Sequence, residues 1–248
     1  MEQKRTYVVF GGTGAVGTAL VRDLTSSGAN VVIGVRDPQK AVGLVQDTGC
    51  DVHPVAADDS DSFESCLKLA TEKHGRIDGV ANCIGSVLLK PGHLTTDEEW
   101  HDVITTNLTS AFCVVRAAAK NLRKSGGSVV LVSSAAAEIG LSNHEAIAAA
   151  KAGIAGLVRS AAATYANRSI RFNAVSPGLV KSEMTRKLWE NEESAAMSAQ
   201  MHALGRLGEP EDVARAISWL LGEASSWVTG QTIGVDGGLG SVLTRMKM

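Results

Sequence analysis

The sequence predicts an α/β protein, one doubly wound domain with a seven-stranded parallel sheet and helices on both faces. Three observations carry this. Short β-branched runs alternate with amphipathic stretches along the whole chain, no linker or repeat breaks the series, and glycine is in excess at 26 of 248 residues, as tight βα turns require. A single domain over 1–248 follows.

The first strand, over 7–10, runs into Phe10-Gly11-Gly12-Thr13-Gly14-Ala15-Val16-Gly17, which opens a helix over 14–27. A β-branched run over 31–35 is the second strand. Asp37-Pro38 after it has the form of an N-cap with proline at the first helical position. The third strand covers 52–55, and apolar residues at i, i+3 and i+4 mark a helix over 61–74. The same reasoning gives a strand at 77–82, a long helix at 96–123, a strand at 128–132, a helix at 145–166 and a strand at 170–175. A stretch over 182–208, rich in Met, Glu and Ala, departs from the pattern and reads as a lid whose Met184, Leu188, Met197, Met201 and Leu204 serve packing or face a substrate. A helix over 210–221 and a strand over 232–235 complete the order.

Composition narrows the function. Lys+Arg 24 against Asp+Glu 26 leaves a net charge of −2, which argues against nucleic acid and membrane surfaces as partners. Hydrophobic residues at 44% with 20% charged exclude disorder and provide a sizeable core. Cys50, Cys66, Cys83 and Cys113 are widely spaced, so neither a disulfide framework nor a zinc cluster is expected. With no signal-like apolar segment at the N-terminus, a cytoplasmic location is expected. His144-Glu145 has Ala148, not His, at the next helical turn, which excludes a metalloprotease helix; no metal is expected.

Two features bear on a ligand. Glycines after the first strand let the backbone approach a pyrophosphate, and the helix behind them presents free N–H groups and the positive end of its dipole. A ribose-binding acid is expected at the end of the second strand in an NAD site, but Val35 is followed by Arg36, whose guanidinium suits a 2′-phosphate. The cofactor expected is therefore NADP(H).

Taken in order, these motifs resemble the short-chain dehydrogenase/reductase family over essentially the whole chain, in particular its 3-oxoacyl-carrier-protein reductase-like members. Asp58-Asp59-Ser60-Asp61 resembles the adenine-contacting turn, and Asn82-Cys83-Ile84-Gly85 an altered Asn-Asn-Ala-Gly. Asn107 matches the catalytic Asn, Ser134 the catalytic Ser, and Asn173 to Gly178 the Pro-Gly turn beside the nicotinamide. Thr229-Gly230-Gln231 and Val235-Asp236-Gly237-Gly238 resemble the signature of the last strand. The resemblance implies a Rossmann-type dinucleotide-binding and catalytic domain whose cofactor contacts are Gly11, Thr13, Gly14, Val16, Gly17, Arg36, Asp58, Asn82, Gly85, Lys151, Pro177, Gly178 and Val180. Lys151 would hold the nicotinamide ribose, Asn107 a water and Ser134 the substrate oxygen. It also implies a homo-tetramer built on the fourth and fifth long helices and the last strand.

The departures bear on chemistry. Phe10 and Ala15 replace the family's usual Thr and Gly in the glycine turn, and its Tyr-x-x-x-Lys is Ile147-Ala148-Ala149-Ala150-Lys151 here. Reduction of a carbonyl by hydride makes an alkoxide that needs a proton, and isoleucine has none to give. Tyr7 and Tyr165 lie too far along the chain to replace the phenol; Tyr165 reads as a core or capping aromatic. His144 shares a helical face with Ile147 and Lys151 and can donate a proton near neutral pH, with a seven-residue spacing to Lys151 that resembles the family's enoyl reductases. An exposed first-turn histidine is the other reading, and Ser134 through water is another route. The sequence therefore points to an NADPH-dependent reductase of a carbonyl or activated C=C bond in a small or acyl-thioester substrate. The alternative is an inactive NADP(H)-binding sensor or assembly partner.

Overall fold

The computed structural model describes residues 4–243. Seven parallel strands lie in the order β3-β2-β1-β4-β5-β6-β7: β1 Thr6–Phe10, β2 Asn30–Val35, β3 Asp51–Pro54, β4 Gly79–Asn82, β5 Gly127–Val132, β6 Ile170–Pro177 and β7 Thr232–Val235. Helices α1 Ala15–Ser26, α2 Val42–Thr48 and α8 Pro210–Leu221 cover one face. Helices α3 Ser60–His74, α5 Ser110–Asn121 and α6 Glu145–Tyr165 cover the other.

The period-2 geometry of the strands divides the core. Tyr7 and Val9 of β1 join Val31 and Ile33 of β2 under α1 and α8, while Val8 and Phe10 turn to the α3, α5 and α6 side. Helix α6 is apolar and long enough to cross a membrane, yet it buries Ile154, Val158 and Ala161 against the sheet as a core helix does. Tyr165 packs its ring 5.7 Å from Phe172 of β6, the core role expected of it. Arg171 reaches from β6 to the carbonyls of Leu220 and Gly222, at 2.9 and 3.1 Å, and so satisfies orphan acceptors at the end of α8.

Strand β1 pairs with β2 on one side and β4 on the other, so the chain reverses direction across the sheet there. The crevice outside the carboxyl ends of β1 and β4 is the ligand position of such a sheet. The glycine turn and Asn82 lie at these ends, and Arg36 follows the carboxyl end of the neighbouring β2.

Two expectations need correction. The long helix over 96–123 is not continuous: α4 (Asp97–Ile104) passes through a π-turn at Thr105–Thr109 before α5 begins. Thr96 and Glu99 close a capping box at its start. Helix α2, absent from the sequence reading, follows a 3-10 turn over Pro38–Ala41 that Asp37 caps by accepting the Gln39 N–H at 3.0 Å. In the segment 182–208 the ordered pieces are a 3-10 turn (Arg186–Leu188) and helix α7 (Glu192–Gln200), none of whose residues is buried. Met184, Met197, Met201 and Leu204 are exposed there.

Candidate active site

The glycine turn fits a pyrophosphate, and its glycines do different jobs. Gly11 has φ +76°, and a β-carbon there would come within 2.8 Å of the Cys83 and Ile84 backbone. Gly17 lets α1 lie against the Gly11 carbonyl. Gly14 has an ordinary φ of −73° and is exposed; a β-carbon would meet only the Gly11 oxygen, at 3.4 Å. Internal packing does not demand glycine at 14. Its consequence is an α1 N-terminus with no side-chain cap, whose N–H groups stay open to an anion. Thr13 and Val16 flank this opening, both half-buried.

Arg36 is exposed one residue past β2 and forms no ion pair among the described residues. It borders a depression of about 450 Å³ shared with His53, Ala56, Asp59 and Ser62. Asp58 sits exposed on the turn after β3. Its neighbour Asp59 is taken up by the fold, accepting the Asp61 and Ser62 N–H groups at 3.0 and 3.4 Å as the N-cap of α3.

The centre of the site lies where α6 crosses β5. Lys151 is 6% exposed, and its Nζ donates to the Val132 carbonyl at 2.8 Å. Ser133 locks that turn of helix by donating to the Lys151 carbonyl at 3.0 Å, so Ser133 is occupied structurally. Ser134 adopts an extended φ of −164° and its Oγ accepts the Ala136 N–H at 3.2 Å, which leaves its own hydroxyl proton free. Burial pulls the Lys151 ammonium down to about 8. Burial pushes the Cys83 thiol up to about 12, so it is neutral near physiological pH.

Asn107 sits in the π-turn, fully buried. Its Nδ2 donates to Ser86 Oγ at 3.0 Å and to the Val103 carbonyl at 2.9 Å, and its Oδ1 accepts the Ser86 N–H at 3.1 Å. A β-carbon on Gly85 would lie 3.2 Å from Asn107 Oδ1 and 3.4 Å from Lys151 Nζ, so Gly85 is where the two side chains converge. Asn82 steers this segment by accepting the Ile84 N–H at 3.2 Å. Ser86, which the sequence reading missed, directly follows the Asn82 to Gly85 motif. That position was its only signal.

Ile147 is 3% exposed and packs in an apolar cluster with Val103, Ala146 and Ala150, flanked by Leu88 and Leu108. His144 is the N-cap residue of α6, half-buried, and its Nδ1 lies 2.7 Å from the Ser142 carbonyl. A carbonyl only accepts, so Nδ1 carries a proton and Nε2 is the nitrogen left for exchange. On the far side of the crevice Pro177 and Gly178 leave β6, with Val180 buried behind them. The fold thus brings Asn107, Gly85 and Lys151 together around one point. Ser134 stands just past the end of β5 and His144 at the N-terminal end of α6.

Comparison with known proteins adds the following. Residues 12–240 match the family model described as Enoyl-(Acyl carrier protein) reductase. The chain is 34% identical over 245 residues to 3-oxoacyl-[acyl-carrier-protein] reductase FabG of Thermotoga maritima, covering 95% of this chain and 97% of that one. It is 32% identical to 3beta-hydroxysteroid dehydrogenase 1 of Eggerthella lenta, over 95% and 93% of the two chains. Among solved structures it superposes on a short-chain type dehydrogenase/reductase from Mycobacterium ulcerans with TM-score 0.92 and 32% identity, covering 96% and 90%. It also superposes on the F189W actinorhodin polyketide ketoreductase with NADPH, with TM-score 0.91 and 25% identity over 98% and 99%.

Proposed function

This chain belongs to the short-chain dehydrogenase/reductase family of oxidoreductases, and from that premise we propose that it is an NADPH-dependent reductase of a carbonyl or activated C=C bond in a small or acyl-thioester substrate. The observation that carries this reading is the convergence of Lys151 and Asn107 on Gly85, at the carboxyl end of β4 and across the sheet crevice from an uncapped helix N-terminus.

In this reading the open N–H groups that follow Gly14 at the start of α1, flanked by Thr13 and Val16, would hold the pyrophosphate, and Arg36 the 2′-phosphate. Asp58, Asn82, Gly85, Pro177, Gly178 and Val180 line the remaining cofactor path. Bound NADPH supplies the hydride. Lys151 grips ribose hydroxyls with an ammonium that already holds the Val132 carbonyl, and Asn107, pinned by Ser86, orients a water. Ser134 donates its free hydroxyl proton as a hydrogen bond to the substrate oxygen. The charge that develops there is balanced by a proton from His144 Nε2 or, for a C=C bond, by a proton reaching the α-carbon from solvent. Segment 182–208 acts as the lid, and its exposed methionines supply an adaptable apolar cover.

A second reading is favoured by one observation. Ile147 stands where the family resemblance calls for Tyr, and it is sealed in an apolar cluster. A protein that binds NADP(H) without turnover, as a sensor or assembly partner, would tolerate this. The test is NADPH oxidation over a matched panel of ketones and enones, free and as thioesters, using protein already shown to bind NADPH. Turnover of any member supports the reductase; binding without turnover supports the sensor.

The proposal extends to a cytoplasmic homo-tetramer built on α5, α6 and the edge strand β7. Phe112 on α5 and Trp219 on α8 are large exposed aromatics, and Trp227, near β7, is 99% exposed. Light scattering after size exclusion tests it.

A further inference from the structure

His202 lies at the base of the lid segment, 4% exposed, and both its ring nitrogens are engaged. Nδ1 is 2.8 Å from the Ser198 carbonyl at the end of α7, so it donates. Nε2 is 3.1 Å from the Leu179 N–H, so it accepts. Only the neutral Nδ1–H tautomer satisfies both contacts. The ring therefore joins the lid to the turn that follows Pro177.

Two further contacts tighten the joint. A β-carbon on Gly178 would fall 2.6 Å from Nε2 and 3.0 Å from the Asp236 carbonyl, so this imidazole and the neighbouring backbone together demand glycine at 178. The Leu204 N–H donates to the Gly237 carbonyl at 3.0 Å, which ties the same corner to the chain after β7. Beside the ring is a cavity of about 650 Å³, bordered by Val180, Leu204, Arg206, Asp236 and Val242.

We propose that His202 is a positioning residue that locks the Gly178–Val180 turn to the lid and releases it when the ring gains a second proton. Protonation converts Nε2 from acceptor to donor, so the Leu179 N–H loses its partner and two donors face each other across 3.1 Å. No carboxylate contacts the ring among the described residues. Arg206 and Asp212 are consumed by each other at 2.6 and 3.0 Å. Asp236 spends its carboxylate on the Gly238 and Gly240 N–H groups at 2.9 and 2.7 Å. Lys181, past the turn, is paired with Glu209 at 2.6 Å, and Glu192 and Glu193 of α7 lie at its other end. The consequence for the reaction rests on the cofactor reading above; the latch does not.

The test uses the full chain without ligand. Hydrogen–deuterium exchange over 178–204 is measured at about pH 8 and about pH 5.5, corrected for intrinsic exchange, for wild type, His202→Gln and His202→Leu. Glutamine can accept the Leu179 N–H but takes no proton in this range. Wild type is expected to lose protection by about tenfold or more at the lower pH, His202→Gln to stay protected at both, and His202→Leu to be open at both. If His202→Gln shows the same pH dependence as wild type, or His202→Leu keeps wild-type protection at pH 8, the latch is overturned. Should His202→Leu fail to fold, the glutamine comparison alone decides. NADPH titrations on the same proteins read the functional consequence, with weaker binding at low pH expected in wild type and not in His202→Gln. Loss in both would overturn the positioning role, whereas failure of all three to bind NADPH at about pH 8 would overturn the cofactor reading instead.

Discussion

Ile147 and Lys151 stand one turn apart on one face of α6, both buried, so the nearest helical neighbour of the ammonium on that side is a hydrocarbon. Lysine in this family reading serves two purposes, holding a ribose and lowering the pKa of a phenol. Only the first remains possible here.

Lys151 should make stability and cofactor affinity respond to alkaline pH in opposite ways. Folded, it releases its proton at about 8, against 10.5 ordinarily, because burial penalises the charge. Between those values the unfolded chain binds more protons, so this group's contribution to stability rises with pH, and below about 8 the folded protein carries the full cost of roughly 3 kcal/mol. Urea denaturation should find Lys151→Met more stable than wild type at pH 7, with the advantage shrinking towards pH 10. NADPH affinity of wild type should fall as pH rises past about 8, and that of Lys151→Met should be weak throughout. A stability difference that stays constant from pH 7 to 10 would sink the argument.

Arg36 is exposed and unpaired among the described residues, so it has no structural partner to lose. Arg36→Ala should leave the melting temperature unchanged and weaken NADP(H) by about 1.5 to 3 kcal/mol, the range of hydrogen bonds to charged groups, with little effect on NAD(H). Calorimetry with both cofactors checks this, and equal affinities in the unmutated protein would refute it.

His144 has one nitrogen committed to the Ser142 carbonyl and the other without a hydrogen-bond partner among the described residues. If Nε2 supplies the proton, His144→Ala should lower turnover by about 10²- to 10⁴-fold. A nearly silent substitution, with enones outpacing ketones, would assign protonation to solvent.

Ile147→Tyr places a phenol four residues before Lys151, but the site it enters is filled. A larger ring must displace part of the Val103, Leu88 and Leu108 cluster, at a cost of about 1 to 3 kcal/mol. The variant should melt lower than wild type and gain ketone reduction. If ketone turnover appears only in this variant and wild type turns over nothing, the non-catalytic reading stands.

The parts legible in the sequence are those fixed by local physics. Buried parallel strands read as apolar β-branched runs, and Asp37-Pro38 announced a cap because the bond it makes is two residues long. What could not be read depends on distant chain. The π-turn around Asn107 is coupled to bonds with Ser86, 21 residues earlier, and periodicity over 96–123 saw only helix. The Lys151 partner is a backbone carbonyl 19 residues away, which leaves no trace in residue type. His202 was one of six scattered histidines until Leu179 and Ser198 were placed around it.

Phe10 packs its ring 4.9 Å from that of Phe63 in a tilted arrangement, and a β-carbon at Gly34, on the neighbouring strand, would run into it. Positions 10 and 34 therefore form a matched pair, which constrains the order in which substitutions can accumulate. Enlarging residue 34 first meets a steric wall, whereas shrinking residue 10 first leaves a void against Phe63 that a later side chain at 34 could partly refill. Each single step is therefore destabilising, the first by overpacking and the second by leaving a cavity. Grafting a smaller residue at the end of β1, directly before the glycine turn, is thus a two-position change whose single steps should be strongly non-additive.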